Sequence, residues 1–245
     1  MRIHAVHKLI DSRKEASTRP FRARGAKVDR CERCCIAKNF CICEHQPDID
    51  TDVSALIIMS ENEVLKPSNT GRLIADTIKN TFCFQWSRTE PASELLVLLD
   101  DPNYQPVVVF PQEYVENKAR IVSESDSMMQ GDKTPLLIFI DGSWREARRI
   151  FRKSPYLDRF PVISVTPEKV SEYIMRSSDN ENHLSTAEVA SLVLEQLSQP
   201  AASKVLSSWF AVFRESYLLS KTRLRTDLTR PALKRYLGMS DCVRD

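Results

Sequence analysis

The sequence predicts an α/β protein built on a mostly parallel sheet with helices on both faces. Two observations carry that prediction. Five short apolar stretches rich in β-branched residues recur along the chain, the pattern of strands buried on both faces. Between them lie segments with helical patterning, and strand–helix alternation favours a parallel sheet. The stretches are Val53–Met59, Thr81–Trp86, Pro106–Phe110, Pro135–Ile140 and Phe160–Val165. The helical segments between them cover 67–79, 92–100, 112–121 and 143–153. Two longer helices are expected over 186–197 and 201–219. The first opens on Ser185-Thr186-Ala187-Glu188, an N-cap followed by an acidic first turn. The second carries an apolar stripe at Val205, Trp209, Val212, Phe213 and Tyr217.

At 245 residues the chain is long enough for one α/β domain with a small appendage, and such a core needs no disulfides. Four segments are expected: a basic arm over 1–29, a cysteine knuckle over 30–50, a main α/β domain over 51–200, and a helix with a basic tail over 201–245. No apolar stretch reaches the roughly 18 residues of a membrane span. The N-terminus has no apolar centre or small-residue cleavage site, so the expected location is the cytoplasm and no membrane partner is expected. A monomer is the favoured form. Net charge is +2, but both ends are basic. Arg2, Lys8, Arg13, Lys14, Arg19, Arg22, Arg24, Lys27 and Arg30 crowd the first 30 residues. Lys221, Arg223, Arg225, Arg230, Lys234 and Arg235 occupy the tail. Such ends suit a polyanion, since neutralising phosphates releases counterions.

Five of the seven cysteines fall in one run, Cys31, Cys34, Cys35, Cys41 and Cys43. Cys31-x2-Cys34 and Cys41-x-Cys43 offer four thiolates from two short loops, the donor set of a closed structural zinc site. Cys35 is then spare, and His45 is a weaker substitute ligand. An iron–sulfur cluster uses the same four ligands, and a metal-free knuckle is the third reading. A disulfide is disfavoured in a reducing compartment. Cys83, inside an apolar strand, reads as a small hydrophobe.

After the strand ending at Ile140 comes Asp141-Gly142-Ser143-Trp144, then a helix rich in arginine. An acidic residue at the carboxyl end of a central strand lies where open α/β sheets bind ligands. Ser143 is placed to cap the helix. Trp144 supplies a flat surface with one N–H donor. Alone, this tetrapeptide is weak. It gains weight beside Lys66-Pro67-Ser68-Asn69-Thr70-Gly71-Arg72-Leu73, Ser154-Pro155-Tyr156-Leu157 and Leu184-Ser185-Thr186-Ala187-Glu188. In this order, behind a four-cysteine knuckle, the segments resemble the DTW-domain family over residues 30–200. The family motif is Asp-x-Thr-Trp, and Ser143 replaces the threonine here. Many members carry a His-Pro pair where this chain has Ser60-Glu61.

The resemblance implies a tRNA-uridine aminocarboxypropyltransferase, similar to bacterial members that act in the variable loop. Such enzymes move the 3-amino-3-carboxypropyl group of S-adenosylmethionine to N3 of a uridine in tRNA. It also implies a SPOUT-like sheet with a knotted cofactor-binding region. From motif position, Asp141, Ser143 and Trp144 are the expected catalytic residues. Thr70, Ile140, Phe160, Leu184, Ser185 and Thr186 are the expected contacts to S-adenosylmethionine. Cys31, Cys34, Cys41 and Cys43 are the expected zinc ligands, and Arg145, Arg148, Arg149 and Arg176 the expected RNA contacts. Asp141 has two candidate roles. As general base it needs to be more basic than an ordinary aspartate, which burial beside Trp144 would supply. Otherwise it orients the uridine by accepting a hydrogen bond. Two rival functions share these features: an RNA methyltransferase with the opposite donor pose, and a non-catalytic zinc-knuckle RNA-binding protein.

Overall fold

The computed structural model describes residues 1–18, 28–122, 131–164, 184–221 and 227–242. Six strands form one sheet: β1 (Ser54–Met59), β2 (Thr81–Gln85), β3 (Tyr104–Val109), β4 (Ile121–Val122), β5 (Thr134–Asp141) and β6 (Val162–Ile163). Their order is β2-β1-β5-β3-β6-β4, and every neighbouring pair is parallel. The central strands read as continuous apolar runs because both faces are covered. Ala55, Ile57, Met59, Leu137 and Phe139 point into one core, while Leu56, Ile58, Leu136 and Ile138 point into the other.

The first core is roofed by α1 (Ala5–Glu15), α3 (Gly71–Thr77), α6 (Thr186–Gln196) and α7 (Pro200–Leu219), with α8 (Pro231–Cys242) behind them. The second is roofed by α4 (Ser93–Asp100) and α5 (Trp144–Arg152). A one-turn α2 (Glu61–Val64) follows β1. On α7, Trp209, Val212, Phe213 and Tyr217 are buried and Val205 is partly so, the stripe its sequence predicts. Full burial of a side chain of this size contributes about 1.5–3 kcal/mol.

Several expectations need correction. The helix expected over 112–121 is two separate 3-10 turns, Gln112–Tyr114 and Lys118–Arg120, running directly into β4. A rigid proline ahead of the first turn and Asn117 capping the second break the segment up. Strand β4, only two residues long, is too short to leave a periodic signal. The helix expected over 67–79 begins only at Gly71, because 67–70 form a loop tied down by side chains described below. The first 29 residues are not merely a basic arm: they contain α1, whose Val6, His7 and Ile10 are buried. The tail likewise contains α8. Of the strand expected over 160–165, only Val162–Ile163 is β-strand, and Val165 lies outside the described residues.

The chain's course around the central strands decides where a ligand can sit. From β1 it turns toward β2 on one side, and from β5 it continues toward β6 on the other. The carboxyl ends of β1 and β5 are paired, Met59 opposite Asp141. Diverging connections leave a crevice at that point, the usual ligand position in open α/β sheets.

Candidate active site and metal site

Asp141 ends β5 and is fully buried. One carboxylate oxygen, Oδ1, accepts from the Thr186 hydroxyl at 2.5 Å, and the other, Oδ2, accepts from the Asn69 side-chain amide. Asn69 Nδ2 also donates to Glu63 Oε2 at 3.2 Å, and its Oδ1 accepts from the Arg72 backbone N–H at 3.1 Å. Glu63 is fully buried too, and its other oxygen accepts from Lys66 Nζ at 2.7 Å. Two buried carboxylates thus share one amide, with a lysine at the rim. An unpaired carboxylate at this depth would be very costly, so the donors are integral to the arrangement.

Close packing also explains a glycine. A Cβ on Gly71 would sit 2.7 Å from Asp141 Oδ2, so only glycine lets α3 start against the carboxylate. Beside it, the Ser60 and Thr70 hydroxyls are buried with no hydrogen-bond partner. Buried polar atoms are normally satisfied, and two orphans flanking one carboxylate suit a polar ligand group.

Ser143 starts α5 with a reciprocal cap. Its hydroxyl accepts from Glu146 N–H at 3.4 Å, and its own N–H donates to Glu146 Oε2 at 2.9 Å. The hydroxyl also donates to Glu146 Oε2 at 2.6 Å. This is a capping box. Ser185 builds the same device at α6, with its N–H donating to Glu188 Oε2 at 2.9 Å. Each cap fixes the following residue. Trp144 opens α5, and its ring stacks on Phe110 at 5.8 Å between centroids and meets Tyr114 edge-on at 5.2 Å. Thr186 opens α6 facing Asp141.

The expected contacts separate into groups. Thr70 and Thr186 lie at the Asp141 cluster. Leu184, half-buried, directly precedes the Ser185 cap. Ile140 is half-buried and packs with the second core. Phe160 belongs to that same core, its ring under the Arg159 guanidinium at 4.7 Å. Arg145, Arg148 and Arg149 are exposed on α5. Arg148 lies over both Tyr114 and Trp144, at 5.5 and 5.9 Å, and Arg149 lies over Trp86 at 5.7 Å. Arg176 lies outside the described residues. Sequence reasoning missed Glu63, Asn69 and Arg72 as site residues. Glu63 and Lys66, three apart, were the available signal for a paired buried carboxylate.

The knuckle gathers Cys31, Cys34, Cys41 and Cys43, whose sulfurs all lie within 4.8 Å of one another. Cys31 Sγ is 3.6 Å from Cys43 Sγ, and Cys34 Sγ is 3.8 Å from Cys41 Sγ. Zinc–sulfur bonds of about 2.3 Å in a tetrahedron set sulfurs about 3.8 Å apart, so these four could hold zinc. Among the described residues no other group of metal-type ligands gathers in this way. Cys35 stands aside, at φ 58°, its N–H closing the turn onto Cys31 O at 3.0 Å. Ile36 and Ile42 anchor the knuckle in the first core. Cys83, in β2, is partly buried against that core.

Fold and site together define an α/β protein with a buried polar cluster at the carboxyl edge of its sheet and a four-cysteine knuckle. Residues 28–218 match the DTW domain, and the chain belongs to that family. The chain is 25% identical over 186 residues to tRNA-uridine aminocarboxypropyltransferase 2 of Drosophila melanogaster, an alignment covering 73% of this chain and 70% of that protein. No solved structure matches the chain. Membership and this relative support a role in tRNA modification. No helix among the described residues is long and apolar enough to cross a membrane.

Proposed function

We propose that this protein transfers the 3-amino-3-carboxypropyl group of S-adenosylmethionine to N3 of a uridine in the tRNA variable loop. One observation carries the reading: three separate motif segments, 66–73, 141–144 and 184–188, are bonded to one another through Asp141 at the switch point of the sheet. The SPOUT-like, knotted cofactor region belongs to the same reading, as do zinc in the knuckle and a cytoplasmic location.

S-adenosylmethionine supplies an electrophilic carbon next to a sulfonium. The uridine nitrogen forms a bond to the first carbon of the amino-acid arm, the carbon–sulfur bond breaks, methylthioadenosine leaves and the N3 proton is lost. The carbon transferred is the one presented in line to the nitrogen, so the site selects the group by holding the donor's pose. Thr70, Ser60 and Thr186 are placed to take polar groups of the donor's arm. Asp141 has both oxygens occupied by protein donors, which favours orientation of these residues over proton removal as its role. Arg148, lying over Trp144 and Tyr114, forms with them a cationic aromatic surface of the kind against which unpaired RNA bases are commonly held. Arg145, Arg148 and Arg149 extend a cationic surface from them toward tRNA phosphates.

Incubation of the purified chain with unmodified tRNA and S-adenosylmethionine, followed by nucleoside mass spectrometry, tests the reading. The expected product is uridine heavier by the 3-amino-3-carboxypropyl group, with methylthioadenosine released. A uridine heavier by only a methyl group, or RNA bound without modification, overturns it.

A further inference from the structure

Arg72 is a guanidinium buried to 2% exposure. Four hydrogen bonds run from it to backbone carbonyls. Nη1 donates to Cys34 O at 3.0 Å, Nη2 to Lys66 O at 2.9 Å and Pro67 O at 3.2 Å, and Nε to Asn69 O at 3.1 Å. Its flat face lies over the Phe213 ring at 5.7 Å. Guanidinium cannot shed its proton, so the cost of burying it is met only while these oxygens stay in place. The fork therefore fixes two pieces of chain against each other. One is the knuckle turn, at the carbonyl of Cys34. The other is the 66–69 loop, which ends on the Asn69 amide that grips both Glu63 and Asp141.

We propose that Arg72 is a positioning residue that couples the four-cysteine site to the active-site loop. An ion held by the sulfurs sets the Cys34 turn, and Arg72 transmits that position to residues 66–69. Asn69 then holds Asp141 for the reaction. The knuckle thus tunes the crevice without any of its atoms reaching substrate. Partners that orient a site from behind its working residues typically carry about 10–100-fold in activity or affinity. The turnover arm of the test rests on the transferase reading above, and the exchange arm does not.

Arg72→Lys keeps the charge and removes the fork. In the full chain, the variant is expected to keep its metal content and circular dichroism spectrum. Its turnover on tRNA should fall about tenfold or more, while KM for tRNA stays within about twofold. Hydrogen–deuterium exchange gives the second arm. Treating the wild-type chain with a zinc chelator should speed exchange in residues 66–73 about tenfold and leave 134–141 protected. In Arg72→Lys, residues 66–73 should already exchange fast, with little further change on chelation. A folded, metal-loaded Arg72→Lys with turnover within twofold of wild type overturns the proposal. So does wild-type exchange over 66–73 that ignores the chelator, or that rises equally in 134–141. If Arg72→Lys does not fold, the wild-type exchange arm decides alone. If wild type modifies no tRNA, the function proposed above fails while exchange still judges the coupling.

Discussion

Helix α3 carries a buried aspartate cluster at each end, and the two are built differently. Near its C-terminus, Asp76 accepts from His4 Nε2 at 3.0 Å and Gln46 Nε2 at 2.7 Å on one oxygen, and from Trp209 Nε1 at 2.9 Å on the other. Those donors come from the entry to α1, the end of the knuckle segment, and α7. Asp76 therefore ties the periphery to the core. Burial pushes its carboxyl up, but the His4 hydrogen bond and charge, with Trp209 and Gln46, outweigh that and leave it below its ordinary value. At the helix N-terminus, Asp141 is bonded to residues of the motif segments, and two orphan hydroxyls stand beside it. Depth does not tell the two carboxylates apart. What distinguishes them is which segments supply the donors and whether neighbouring polar atoms are left wanting a partner.

The sharpest way to break this contrast is to neutralise each aspartate in turn. Asp141→Asn should lower tRNA modification by about 100-fold or more while the chain stays folded, read by product formation and thermal melting. Asp76→Asn should do the reverse, costing about 2–3 kcal/mol in urea unfolding and leaving the folded fraction active. If Asp76→Asn silences a stable protein, the division of labour is wrong. Gly71→Ala tests the packing at Asp141. Its methyl needs the space of Oδ2, so turnover should fall about tenfold, with about 1–3 kcal/mol of stability lost.

The Asp76 side should also show in the pH dependence of stability. His7 stacks on His4 at 3.7 Å between ring centroids, and burial, with the charge of His4, lowers its pKa from 6.5 to about 4. The folded state therefore favours neutral His7. Its contribution is present above about pH 6.5 and is lost as pH falls toward 4, a change of about 3 kcal/mol. Urea unfolding in that window should follow this slope, and His7→Phe should flatten it. The smallest effect is expected from Ser143→Ala, which removes the cap of α5 for about 1 kcal/mol. Activity should drop only a few-fold, and Ser143→Thr should restore it. A loss as deep as that of Asp141→Asn would give Ser143 a chemical role beyond the cap.

The sequence carried the sheet well, because strands covered on both faces leave unbroken apolar runs such as Ala55–Met59 and Leu136–Ile140. It also placed the caps at Ser143 and Ser185, whose partners are three residues away. The Asp141 cluster was legible only as motifs. Asn69, Asp141 and Thr186 are separated by 72 and 45 residues, and no local pattern encodes such contacts. Helix α1 was hidden by its charge: Arg13 and Lys14 sit on the same short helix as the buried Val6 and Ile10. The 112–121 segment misled because its composition suits a helix while Pro111 and Asn117 set turns.

The place of β5 in the sheet has a consequence for synthesis. It fills the slot between β1 and β3, yet it leaves the ribosome after both. Until residue 141 emerges, two apolar strands wait with unpaired edges, an exposure that invites aggregation. The Thr186 side of the crevice arrives later still. A nascent chain stalled between these points should therefore be a good client for holding chaperones, and maturation of this protein should slow whenever translation pauses there.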